Sequence, residues 1–261
     1  MGKNAILTVS FGTSHADTRE KTIGAIEEEF RRAYPGWEVR RAFTSRMIIR
    51  SLAGEGIQVD TVPQALEKLA AQGFTRVACQ PTHVMNGEEY DLFCREAAPF
   101  QTRFERFGIG TPLLTELEDY HRLIQAIDVE VPGLGGEDAL VRMGHGSSHF
   151  SNAAYGTLDY AFKDSGHRNI FVGTVEGYPD LEAIRRRMQE FRPRTVWLMP
   201  LMVVAGDHAV NDMAGPEEDS WQSVLTADGW QVRSVLQGLG ELPAVRRIYL
   251  DHLARVTERL Q

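Results

Sequence analysis

Apolar and polar residues along this chain follow two periods in turn. Residues 5–10, AILTVS, form a short apolar run that reads as a strand. Over residues 17–34 the apolar positions Ile23, Ile26 and Phe30 recur at steps of three and four, which predicts a helix that Pro35 and Gly36 stop. Residues 37–43 are the next strand. Residues 61–72 place Val62, Ala65, Leu66 and Leu69 on one helix face and end at Gly73. Residues 75–80 form a third strand closed by Pro81, residues 88–107 a helix interrupted at Pro99, and residues 111–115 a short fourth strand. Single strands alternating with helices predict an α/β protein, a parallel sheet covered by helices on both faces.

Near residue 120 the order begins again. Residues 118–127 read as a helix and residues 131–136, VPGLGG, as a turn-rich link. Residues 5–15 (AILTVSFGTSH) then align with residues 139–149 (ALVRMGHGSSH), so that Gly12 falls on Gly146, Ser14 on Ser148 and Phe11 on His145. Residues 39–44 align with 171–176, and residues 77–81 with 196–200. Continued without gaps, the last match sets Gly87 on Gly206 and Glu89 on His208. Chance matching of apolar strands is the plain alternative. The shared Gly–Ser and Pro-to-Gly spacings favour an internal duplication, two similarly wound lobes over residues 1–130 and 131–261.

The duplication changes what the histidines mean. Ligands of an open parallel sheet bind beyond the carboxyl ends of its strands. In the second half those ends carry His145, Glu176 and His208, separated by 31 and 32 residues, about one βαβ unit each. The first half has Phe11, Thr44 and Glu89 there. Two imidazoles and a carboxylate suit a divalent first-row ion, and three ligands leave coordination positions open. A lone loop histidine is most often an ordinary turn residue; the joint placement of these three argues otherwise. His83, in the first half's third loop, is either a wall of the site or a plain loop residue.

Composition narrows the partners. A net charge of −8 argues against nucleic acid. No apolar stretch reaches the 18 residues of a membrane span, and the start lacks a signal peptide's apolar core, so the expected location is cytoplasmic. Cys79 and Cys94 form no zinc or disulfide spacing. The segment GHGSS at 144–148 matches neither the phosphate-binding loop nor the G-x-S-x-G elbow of serine hydrolases. Arg185, Arg186 and Arg187 read as a solvated helix face.

Five segments together, FGTS at 11–14, AFTS at 42–45, HVMNGEEY at 83–90, MGHGS at 143–147 and GDHAVNDM at 206–213, resemble the CbiK-type anaerobic cobaltochelatases, class II tetrapyrrole chelatases. The resemblance spans nearly the whole chain. It implies a chelatase-like α/β fold of two similar doubly wound lobes with a cleft between them. It implies insertion of Co²⁺ into sirohydrochlorin, without ATP, on the early-insertion route to cobalamin. Fe²⁺ insertion and a non-catalytic metal or tetrapyrrole carrier are the alternatives. The family's metal ligands carry over to His145, Glu176 and His208. His145 is also the favoured base, with Glu89 a second proton acceptor or metal-delivery group, and Phe11, Ser45, Arg46 and His83 are the expected substrate contacts. The family forms homo-oligomers, so a trimer or tetramer is expected. Some exported relatives bind haem through an added histidine that cannot be located here, so no haem is expected.

Overall fold

The computed structural model describes residues 2–128 and 134–261. The link expected at 131–136 therefore lies partly outside the described residues. The chain forms two compact units. One runs up to Thr115 and takes in Pro243–Gln261; the other is Glu116–Leu242.

The first unit is built on β1 (Lys3–Ser10), β2 (Glu38–Phe43), β3 (Asp60–Thr61), β4 (Phe74–Pro81) and β5 (Arg106–Ile109), all parallel, in the order β3-β2-β1-β4-β5. β1 is central, and its residues from Ala5 to Ser10 are buried, which is why Ala5, Ile6, Leu7 and Val9 are apolar, with Thr8 and Ser10 buried among them. One face is covered by α4 (Val62–Ala71) and α5 (Glu88–Ala97), which bury Val62, Leu66, Leu69 and Phe93 against Leu7, Val9 and Val77. Thr61 and Gln64 close a capping box at the start of α4, worth about 1 kcal/mol. The helix read over 17–34 is α1 (Ala16–Arg19), a π-turn (Glu20–Gly24) and α2 (Ala25–Ala33). In α2, buried Glu27 accepts two hydrogen bonds from Arg41 of β2, at 2.7 and 2.8 Å. A further helix, α3 (Arg46–Gly54), follows β2.

The fourth long strand lies earlier than the sequence suggests. α5 ends at Ala97, a 3₁₀ turn with Pro99 in its first turn spans Ala98–Arg103, and β5 starts at Arg106. Residues 111–115 are a loop, tied to the loop after β4 by backbone bonds from Leu113 N–H to His83 O at 2.9 Å and Leu114 N–H to Val84 O at 2.8 Å, which make an isolated bridge between Met85 and Leu114. The stretch read as the end of the helix over 88–107 instead joins the ladder to β4, with Gly108 letting another helix approach. That helix is α10 (Pro243–Arg259), the chain's last, which packs against α2, β4 and β5 and buries Val245, Ile248, Tyr249, Leu253 and Val256. A Cβ on Gly108 would come within 2.7 Å of Val256. The chain's end thus belongs to the first unit, and the change of unit falls at 115/116 rather than 130/131.

The second unit holds α6 (Leu117–Asp128), β6 (Ala139–Gly144), α7 (Ala153–Asp164), β7 (Ile170–Thr174), α8 (Leu181–Phe191), β8 (Thr195–Pro200), α9 (Trp221–Ala227) and β9 (Gln231–Ser234). Its parallel sheet has the order β7-β6-β8-β9, that of β2-β1-β4-β5. The registers agree as well: Ala5 pairs with Val77 and Ala139 with Val196, while Val9 pairs with Pro81 and Met143 with Pro200. These are the positions that the sequence alignment equated. α8 and α9 bury Ile184, Met188, Trp221 and Leu225 on Val141, Met143, Val196 and Leu198. Among the described residues, no helix is long and apolar enough to cross a membrane.

Candidate metal centre

His145, Glu176 and His208 each follow the carboxyl end of a strand in the second unit: His145 directly after β6, Glu176 two residues past β7, and His208 in the segment after β8. Backbone bonds hold the first two together. Val175 N–H donates to Gly144 O at 3.1 Å, and Glu176 N–H to His145 O at 2.8 Å, so the ladder runs past the strand ends. Gly146 then turns the chain at φ +84°, where a Cβ would come within 2.5 Å of Gly177 N. Asn152 clamps the same loops. Its Oδ1 accepts from Ser147 N at 3.0 Å and its Nδ2 donates to Tyr178 O at 2.7 Å.

The three side chains converge. One ligand atom from each lies within 4.8 Å of the other two. His145 Nε2 and Glu176 Oε2 are 3.4 Å apart, and the two imidazole rings meet edge to face with centroids 4.4 Å apart. Donors about 2.1 Å from a shared tetrahedral ion stand roughly 3.4 Å from one another, the spacing that His145 and Glu176 already have, and the pairs with His208, within 4.8 Å, must close onto the ion. The side chains of His145, Glu176 and His208 are 46, 57 and 35 % exposed, which leaves an ion reachable from solvent. Two neutral imidazoles and one carboxylate can hold a divalent cation with positions left for water or a substrate nitrogen.

The first unit carries the other expected residues on its own strand ends. Phe11 follows β1 and is 43 % exposed. Ser45 N–H donates to Phe11 O at 3.2 Å, just as Glu176 does to His145, so Ser45 is the counterpart of Glu176. The sequence alignment had set Thr44 there. Strand periodicity carries no information once the chain leaves the sheet, and the match slipped by one residue. The Ser45 hydroxyl caps α3, accepting from Ile48 N at 3.4 Å. Arg46, 69 % exposed, pairs with Glu96 at 3.3 Å. Glu89 sits in the first turn of α5, the site that His208 holds after β8. Glu89 Oε2 and both ring nitrogens of His83 are buried without a hydrogen-bond partner among the described residues. Burial pushes the His83 imidazole down to about 4.

Sequence reasoning passed over two residues here. Asn152 gave no signal, because its task is to bridge two loops that are adjacent only in space. Asp212 did give one: it stands four residues after His208, within reach on a helical turn, and its carboxylate meets His208 Nδ1 at 2.6 Å.

Residues 4–258 match the family described as cobalt chelatase (CbiK). The chain is 44 % identical over 252 residues to the sirohydrochlorin cobaltochelatase of Salmonella typhimurium, covering 96 % of this chain and 95 % of that one. It is 36 % identical over 263 residues to the sirohydrochlorin cobaltochelatase CbiKC of Nitratidesulfovibrio vulgaris, covering 100 % and 93 %. Among solved structures, SirB from Bacillus subtilis with Fe³⁺ superposes with a TM-score of 0.66 at 16 % identity, over 97 % of this chain and 95 % of that one, a likeness of fold.

Proposed function

Because the chain belongs to the cobalt chelatase (CbiK) family, we propose that it is a sirohydrochlorin cobaltochelatase, which inserts Co²⁺ into the macrocycle without ATP. The observation that carries the reading to particular residues is the convergence of His145, Glu176 and His208 at three strand ends of one sheet.

Insertion replaces two pyrrole N–H protons with the metal and releases two protons, with no change of oxidation state. Two barriers oppose it: the aquo ion must shed water, and the ring must lose its protons. Three protein donors in place of three waters lower the first and hold the ion over the ring nitrogens. Glu176 offsets part of the dication's charge. A neutral imidazole accepts a proton near neutral pH, and His145 takes that part with the lone pair it frees as the ion passes from it to the ring. Glu89, with an unpartnered buried oxygen, is the second acceptor. Phe11, Ser45 and His83 contact the macrocycle, and Arg46 exchanges Glu96 for a substrate carboxylate. On the same reading the metal is Co²⁺ in preference to Fe²⁺, no haem is bound, and the enzyme works as a homo-oligomer.

The test is absorbance-monitored insertion with purified protein, sirohydrochlorin and Co²⁺. His145→Ala and His208→Ala each abolish turnover while the far-ultraviolet dichroism and melting curve stay as in the wild type. Wild-type rates in both variants overturn the site. Stoichiometric binding without turnover in the wild type overturns the enzyme reading, and faster insertion of Fe²⁺ in a mixed-metal assay overturns the choice of metal.

A further inference from the structure

His208 has two ring nitrogens, and only one can face an ion. Nδ1 lies 2.6 Å from Asp212 Oδ2, the distance of a strong charge-assisted hydrogen bond. A carboxylate only accepts, so Nδ1 must carry the hydrogen. The neutral ring then has its lone pair on Nε2. The pair is held by its element. A π-turn spans Ala209–Met213, and its Ala209 and Met213 are fully buried in the core of the second unit. Ser220 Oγ donates to Gly215 O at 2.8 Å and ties down the segment just after the turn. The buried residues fix the turn's rotation, and His208 and Asp212 share its exposed side. As an ion pair it contributes little to folding: the side chains are 35 and 46 % exposed, and such pairs are worth about 0–1 kcal/mol. What the contact does decide is the tautomer.

We propose that Asp212 is a positioning residue for metal capture, holding His208 as the Nδ1–H tautomer with Nε2 presented to the divalent ion. A free neutral imidazole favours the opposite tautomer, with the hydrogen on Nε2. Without Asp212 the ligand must therefore shift its proton and fix its ring plane each time an ion arrives. A carboxylate behind a metal-bound imidazole also makes the coordinating nitrogen more basic and a better donor to the metal. The inference rests on His208 as a ligand in the reading above.

The experiment uses the metal-free full-length protein and Co²⁺ alone as the probe, with Asp212→Ala, Asp212→Asn and, as control, His208→Ala. Calorimetry reads affinity. Long-range proton–nitrogen NMR, at alkaline pH where the spectrum no longer changes as the pH is raised further, reads the His208 tautomer, assigned by its loss in His208→Ala. Asp212→Ala weakens Co²⁺ binding roughly 10–100-fold and moves His208 toward the Nε2–H form, with the melting temperature nearly unchanged. Asp212→Asn, whose amide oxygen still accepts from Nδ1–H, keeps the tautomer and most of the affinity. A purely structural role for Asp212 moves the melting temperature and leaves the nitrogen pattern alone. The proposal is overturned if wild-type His208 is already Nε2–H, or if Asp212→Ala binds Co²⁺ within about twofold of wild type. Unchanged binding in His208→Ala removes the ligand assignment itself, whereas loss of binding there with none in Asp212→Ala removes only the part given to Asp212.

Discussion

Glu176 donates its backbone N–H to the carbonyl of His145 at 2.8 Å, and the two side chains face each other with Nε2 and Oε2 3.4 Å apart. Two ligands of the candidate centre are therefore set by one backbone bond as well as by their own rotamers. Glu176→Gln keeps the size and removes the charge, so Co²⁺ binding weakens about tenfold or more while stability changes by less than about 0.5 kcal/mol, as befits an exposed side chain. Calorimetric titration and urea unfolding check the two halves of this expectation. Equal affinity in the variant means that the carboxylate is not a ligand.

Gly146→Ala attacks the same bond through the backbone. The residue sits at φ +84°, and the added Cβ would come within 2.5 Å of Gly177 N and 2.9 Å of Thr174 Cβ. Backbone on the Gly177 side cannot yield cheaply. The variant loses about 1–3 kcal/mol, and insertion slows because His145 and Glu176 are pushed apart. Chemical denaturation and the insertion assay read these separately.

Glu27→Gln tests the first unit's buried ion pair. Glu27 is nearly inaccessible and holds Arg41 in a bidentate contact that a neutral amide cannot reproduce. Breaking one side of such a pair costs about 3 kcal/mol. The unfolding midpoint falls accordingly, while Co²⁺ affinity, measured below the melting range, stays as it was.

His83 makes folding sensitive to acid. Its folded value is about 4 against an ordinary 6.5. Below pH 6.5 the unfolded chain takes up a proton at this imidazole and the folded chain does not, so unfolding is favoured. The contribution is complete above pH 6.5 and is lost as the pH falls through that window toward 4, by up to about 3 kcal/mol. Urea unfolding at pH 7, 5.5 and 4.5 should show a smaller fall for His83→Gln than for wild type. Parallel curves would mean that the ring is protonated in the folded state.

Much of this protein is legible in order along the chain. β1, β4, β6 and β8 announce themselves as apolar runs, and the ends of the matched strands carry their glycines and serines in step. That is why the duplication could be read, and why His145, Glu176 and His208 stood out against Phe11 and Glu89. A strand buried on both faces is mostly apolar, although Thr8, Gln80 and Arg142 are buried in these strands too, and its neighbours in a parallel sheet must be spaced by a crossover, so sequence and topology are linked there.

Tertiary packing decided the rest. An amphipathic helix specifies that it has a buried face and not which sheet will cover it, so the return of α10 to the first unit could not be read from its pattern. Periodicity could not place the fifth strand: it ran the helix on to residue 107 and put the next strand at 111–115, whereas the strand is Arg106–Ile109; the close approach of Val256 to Gly108 shows what that stretch had to accommodate. Nor could it tell that Ser45, rather than Thr44, answers to Glu176, because the matching bonds lie beyond the last strand residue. The chain order determined which residue types arrive at each strand end. Only the folded backbone, by closing long-range hydrogen bonds between loops distant in sequence, decided that three of them come within reach of one ion and that Asp212 stands behind the third.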